Sequence, residues 1–240
     1  MSLQPPLSLL AVLLLVAMPA LAAPTHTGTW TASVEESHLQ LTLRMKGEHG
    51  GLMGDSVPLT VFQGLSTANG STAPFQLVRE AGTFQFEGSF SNGEGAGHFQ
   101  FEPNQSFGRS MAALGYSQLS PDEYYQFALV DISTARLKEL ASLGYKDIPR
   151  EELLQVGIFQ VTAEYVRTLA SEGYAKLTLD ELVQFRIHGV TPAFIRDMRE
   201  VGYPNVPPED LVRMRIHGID PEYVRALSGG KRAGEARKKP

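Results

Sequence analysis

Four Gly-Tyr pairs stand 29 residues apart, at Gly115-Tyr116, Gly144-Tyr145, Gly173-Tyr174 and Gly202-Tyr203. A strict period of this length marks a stacked array of like supersecondary units, each able to bury its apolar side only against its neighbours. The units run 103–131, 132–160, 161–189 and 190–218, followed by a half unit over 219–228. More than half of the chain is thereby committed to a quasi-one-dimensional scaffold, a form that serves as an extended binding surface.

Each unit predicts two short helices. The first opens at Asn104, Ser133, Thr162, Thr191 or Asp220, whose side chains accept an orphan backbone N–H. An apolar residue just before the cap (Ile132, Val161, Val190, Ile219) and one four residues after it (Leu137, Val166, Ile195, Val224) form a hydrophobic staple. The glycine of the Gly-Tyr pair ends this helix, since glycine adopts a left-handed C′ conformation without strain. The tyrosine that follows is then placed to pack back on the helix end. The second helix begins near Ser120, Pro149, Thr178 or Pro207, with capping boxes at Ser120/Glu123 and Thr178/Glu181. Proline has no capping side chain, so Asp147 and Asn205, two residues upstream, are expected to cap the other two helices.

Two charge ladders follow from the period. Arg109, Lys138, Arg167, Arg196 and Arg225 share one position in the first helix and form a candidate partner-binding face; Asp122, Glu151, Asp180 and Glu209 share one in the second. The cations either meet an acidic partner, pair with that acidic ladder or face solvent. His188 and His217 also stand one period apart, but each precedes a glycine at a helix end, where the helix dipole favours a cation. Paired acids in each second helix fit the positive end of that dipole, and adjacent residues on an exposed turn point apart, which argues against an acid–base couple.

Before the array the pattern changes to period two: Trp30-Ala32-Val34, Leu39-Leu41-Leu43-Met45, Val57-Leu59-Val61, Phe75-Leu77, Phe84-Phe86 and Phe99-Phe101. These runs predict about six half-buried antiparallel strands over residues 23–102, a sheet or small open barrel. Ser91-Asn92-Gly93 is expected to be a hairpin turn, and Gly50-Gly51 and Asn69-Gly70 to punctuate loops. Phe84, Phe86, Phe99 and Phe101 are candidates to line a ligand cavity, or else are cross-strand pairs of an ordinary core. His26, His38, His49 and His98 are irregularly spaced, so the sequence assigns no metal site. The fold class expected is α+β in two domains, the sheet followed by a short α-solenoid.

Residues 1–22 have the layout of a secretory signal peptide: an apolar run from Leu7 to Met18, then Pro19 and the small stretch Ala20-Leu21-Ala22-Ala23, with cleavage expected before Ala23. The run is too short to cross a hydrocarbon core, which needs about 20 residues. The chain has no cysteine, which leaves stability to its apolar cores and rules out thiolate metal sites. Residues 24–106 carry three basic groups against eight acidic, while 107–240 balance at 18 against 18, so neither part has the basic footprint of a nucleic-acid binder. Residues 229–240 read as a flexible basic tail, solubilising or in weak contact with an anionic membrane surface.

With Val161-Thr162-Ala163-Glu164-Tyr165-Val166-Arg167, Gly173-Tyr174, Asp180-Glu181-Leu182-Val183 and Arg186-Ile187-His188-Gly189 in place, the unit resembles a tandem helical repeat of bacterial exported proteins. The same repeat type occurs in the extracytoplasmic parts of BlaR-type sensor metallopeptidases. The resemblance covers residues 103 to about 228 and implies a bacterial envelope protein, periplasmic or extracellular. It carries over no active-site residue, because the peptidase and its HExxH motif are absent from this sequence. Nor is there a G-x-S-x-G elbow, a cysteine nucleophile, a P-loop or a dinucleotide fingerprint. The expectation is a non-enzymatic scaffold or protein-interaction module without cofactor, whose partner is another envelope protein. The alternative is binding of a small molecule or lipid by the β domain.

Overall fold

The computed structural model describes residues 26–46, 52–72 and 74–227. The amino-terminal apolar run, His49, the Gly50-Gly51 pair and the basic tail lie outside the described residues.

Seven antiparallel strands form one curled half-barrel: β1 (His26–Glu35), β2 (His38–Met45), β3 (Leu52–Pro58), β4 (Phe62–Gln63), β5 (Phe75–Arg79), β6 (Gly82–Ser91) and β7 (Glu94–Pro103). Their spatial order is β3-β2-β1-β7-β6-β5-β4, so the first and last strands pair in the middle of the sheet. The alternation read from sequence sets the inner face: Trp30, Leu39, Leu41, Leu43, Phe75, Leu77, Phe84, Phe86, Phe90, Phe99 and Phe101 are all buried. One expected run is corrected. Val57-Leu59-Val61 is not a single strand, because Pro58, which lacks a backbone donor, ends β3 and a 3₁₀ turn follows at Leu59–Val61. Phe62–Gln63 then adds the short edge strand that raises the count from six to seven.

The curl has a local cause. Gly88 and Gly97 face each other across β6 and β7, and a Cβ on Gly97 would collide with the carbonyl oxygen of Glu87. Trp30 lies over this bare backbone and donates its indole N–H to Glu87 O at 3.1 Å. Its ring reaches Phe75 on β5, with centroids 5.4 Å apart, although β7 and β6 intervene. At the β6–β7 hairpin both central residues take positive φ, Asn92 at 54° and Gly93 at 81°, as a primed two-residue turn requires.

The array follows without a linker. Its helices are α1 (Gln105–Ala112), α2 (Pro121–Leu129), α3 (Thr134–Ser142), α4 (Arg150–Ile158), α5 (Ala163–Ser171), α6 (Leu179–His188), α7 (Pro192–Glu200) and α8 (Pro208–Ile216), with α9 over residues 221–227. α1 packs on α3 and α3 on α5, while α2 packs on α4 and α6 on α8, giving an odd and an even layer. All five first-helix caps accept a backbone N–H: Asn104 from Ser106, Ser133 from Arg136, Thr162 from Tyr165, Thr191 from Phe194 and Asp220 from Tyr223. Both capping boxes form. Asp147 and Asn205 do not cap α4 and α8, which have no side-chain cap at all. Pro149 and Pro207 arrive with φ already near the helical value (−54° and −56°), and the first-turn acids Glu151, Glu152, Glu209 and Asp210 complement the dipole.

The first unit and the sheet share one continuous core. Tyr125 of α2 packs edge-on against Phe84 and Phe101 and stacks on His26, with ring centroids 5.5, 5.6 and 4.7 Å away. Polar links surround this plug. Asn104 Nδ2 donates to Glu80 O at 2.9 Å, and the Glu80 carboxylate accepts from Thr134 N at 2.8 Å and Thr134 Oγ1 at 2.6 Å, capping α3 from the sheet. Arg79 pairs with Asp131 at 3.3 Å.

Candidate interaction surfaces

Phe84, Phe86, Phe99 and Phe101 form the core instead of lining a cavity. Each is buried, and they pack on one another at centroid distances of 4.8–6.4 Å, closed off by Tyr125. The sheet has a cleft of about 600 Å³ elsewhere, among polar side chains of alternate parity, and of the four it includes Phe99 alone. Register explains its make-up. Arg44, Thr29, His98 and Glu87 lie in one row across β2, β1, β7 and β6, and Thr27, Gln100 and Gln85 lie in the next. Gln100 Nε2 donates to Gln85 Oε1 at 3.0 Å. The residues that sequence spacing kept apart are thus joined by cross-strand pairing, though without a third ligand for a metal: among the described residues no three His, Asp or Glu side chains converge.

In the array the five candidate cations all lie exposed on the odd helices, as the period requires. Among the described residues, however, no ion pair joins them to the acidic ladder. The acids stand at the starts of the even helices, in the other layer. Asp122 instead meets His26, whose Nε2 lies 2.8 Å from Asp122 Oδ1. Arg196 pairs with Glu172 of the preceding unit at 2.7 Å, and Arg199 shares the same carboxylate at 3.2 Å. The hydrogen bond from Arg196, then the charge of both guanidiniums, holds the Glu172 carboxyl below its ordinary value. Glu172 escapes a reading by period because its position holds Leu114, Leu143 and Val201 in the other units.

Two further ladders organise the array. Each Gly-Tyr pair ends its helix as expected, with Gly115, Gly144, Gly173 and Gly202 at φ between 96° and 104° and the tyrosine N–H returning to the helix. The phenol, however, reaches forward. Tyr116 Oη donates to Ile148 O at 2.8 Å, Tyr145 Oη to Leu177 O at 2.7 Å and Tyr174 Oη to Val206 O at 2.7 Å, each a contact with the next unit. Arg186 and Arg215 also tie units together. They lie over Tyr165 and Phe194, 3.7 and 5.0 Å from the ring centroids, and donate to Gln160 O and His188 O. Burial beneath Arg186 pushes the Tyr165 phenol up to about 12, the nearby cation opposing.

The second ladder is apolar and exposed. Ile158, Ile187 and Ile216 occupy one repeat position at the ends of α4, α6 and α8, with exposures of 53, 48 and 57%. In the first unit the same position is Leu129, buried beside the sheet at 6%. The 3.6 periodicity holds the signal for this row: Leu153, Leu182 and Leu211 fill the core, and a residue five places on points away from them. His188 accepts or donates locally at Gln184 (3.2 Å), while His217 is exposed; neither joins a cluster.

No family model, curated protein or solved structure matches this chain.

Proposed function

We propose that the chain is a non-enzymatic interaction module of the bacterial cell envelope, in which the curled sheet closes one end of a helical array and the array's even layer receives a protein partner. The observation that carries this reading is the row Ile158, Ile187 and Ile216. Three aligned, half-exposed isoleucines are a poor surface for a scaffold that meets only water, and a good one for a complementary apolar strip. The resemblance of the repeat to those of exported bacterial proteins and the signal-like amino terminus support the location. The test is capture from envelope extract by the chain and by its Ile158→Glu, Ile187→Glu, Ile216→Glu variant. A partner enriched by the first and lost by the second supports the reading; equal recovery by both overturns it. Charge reversal at Arg167 and Arg196 asks the same question of the odd layer.

A second reading places a small polar ligand in the cleft on the sheet. Arg44, Lys46, Glu87 and His98 border it, and their side chains make no hydrogen bond or ion pair among the described residues. The alternative of an internal lipid has no such support, since the phenylalanines fill the interior. Native mass spectrometry that finds only the bare chain, with or without added polar ligands, counts against this second reading.

A further inference from the structure

The first unit shows what the outward face of an even helix does when it is covered. On α2, Asp122, Tyr125 and Leu129 stand at positions i, i+3 and i+7 and so share one side of the helix. The sheet lies against that side. Tyr125 enters the aromatic socket of Phe84 and Phe101, Leu129 is buried, and Asp122 Oδ1 meets His26 Nε2 at 2.8 Å. The same three positions return as Glu151, Leu154 and Ile158 on α4, as Asp180, Val183 and Ile187 on α6, and as Glu209, Val212 and Ile216 on α8. There the outer two positions are open. The isoleucines are half-exposed, and the three carboxylates are exposed and make no hydrogen bond or ion pair among the described residues.

The chemistry of these rows narrows the occupant. Acids at the helix starts and isoleucines at the helix ends run as parallel rails, seven residues or about 10.5 Å apart. An α-helix laid along the stack, about 10–12 Å across with its side chains, spans that gap and touches both rails. It also keeps pace with the rungs, since packed neighbouring helices stand about 8–10 Å apart and seven residues of helix advance about 10.5 Å. A β-strand advances about 3.3 Å per residue, so three residues cover one rung but turn the next side chain to the opposite face. Charge then decides which flank goes where. The arginines next to these rows in sequence are already engaged: Arg150 with Glu123, Arg213 with Asp210, Arg186 with Gln160 O and Arg215 with His188 O. The acid rail is left for a partner's lysines or arginines, in the place that His26 takes against Asp122.

We propose that the even layer takes a basic amphipathic helix of a partner protein, laid across α4, α6 and α8 with its apolar flank on the isoleucines and its cations on Glu151, Asp180 and Glu209. This rests on the reading that the even layer receives a protein, and it names the kind of segment received. The probe is a labelled helix-forming peptide of about 18 residues, long enough for three rungs, with leucines at heptad spacing and lysines along one flank. By fluorescence anisotropy it is expected to bind the chain about tenfold or more tightly than the same peptide with glutamate for lysine. Ile158→Glu with Ile187→Glu should weaken its binding about tenfold or more. Glu151→Gln, Asp180→Asn and Glu209→Gln together should bring the two peptides within about twofold of each other. Both sets should keep the circular dichroism unchanged, and Lys138→Glu in the odd layer should leave the preference as it was. A basic peptide whose binding ignores the isoleucines or the acids overturns the proposal. So does equal binding of a proline-interrupted peptide of the same composition, which would make the occupant extended. If neither peptide binds, the proposal falls, while capture from envelope extract still decides whether the even layer has a protein partner.

Discussion

The two ends of the array are built from the same unit and finished differently. At the front, Tyr125 occupies an aromatic socket and Glu80 caps α3 across the junction. At the back, the equivalents of core positions, Tyr223 and Leu227, meet solvent. A stacked repeat buries its core only between neighbours, so every unit inherits the covering of the one before it. The sheet is therefore structural equipment of the array, a terminal cap, as much as it is a domain in its own right.

The largest effect should come from breaking the front. Tyr125→Ala empties a socket shared by sheet and helices and is expected to cost about 3–5 kcal/mol in urea unfolding. Leu227→Ala at the back should cost less than about 0.5 kcal/mol. If the two costs are alike, the front is no cap. Next comes Glu80→Ala, which leaves the buried Thr134 hydroxyl and N–H without their acceptor and should cost about 2 kcal/mol. Within the ladder, Tyr145→Phe and Tyr174→Phe each remove one forward hydrogen bond and should cost about 1 kcal/mol, while Tyr203→Phe should cost nothing measurable. A penalty at Tyr203 equal to the others would mean that this rung has an acceptor after all.

The smallest effect concerns pH. The Glu172 carboxyl is held below its ordinary 4.5 in the folded chain, so the unfolded chain takes up its proton first. The link through Arg196 and Arg199 is then fully present above that value and is lost as pH falls through the lowered one. Glu172→Gln should flatten this acid limb of the stability profile while leaving Tyr145→Phe as costly as before; an unaltered limb would remove the role assigned to the carboxylate.

Helix starts and stops were legible from sequence because their chemistry is local: a cap such as Thr162 and a glycine such as Gly173 act within one turn. The same local logic failed at Asp147 and Asn205, where proline does by geometry what an acceptor does elsewhere. Long-range partners were legible only in part. Period placed Arg196 on an exposed face but said nothing of Glu172, whose acid occurs in one unit only. The Gly-Tyr pairs were visible as C-caps, yet their forward hydroxyl bonds span 32 residues and depend on how units stack. Alternation put Phe84 and Phe101 on one face of a sheet, but whether that face encloses a ligand or a core is decided by Tyr125, which belongs to the array. The row Arg44, Thr29, His98 and Glu87 depends on register between strands that are distant in sequence.

Trp30 is the only tryptophan, and it sits in the curl of the sheet, whereas all eight tyrosines belong to the array. Nature has in effect given the two parts different dyes. Indole emission excited at the red edge reports the half-barrel alone, and tyrosine near-ultraviolet dichroism reports the stack. Followed together through one melt, superimposed curves would describe a cap and array that fail as a unit, and a tyrosine signal that leads would describe an array unravelling from its bare end toward the sheet.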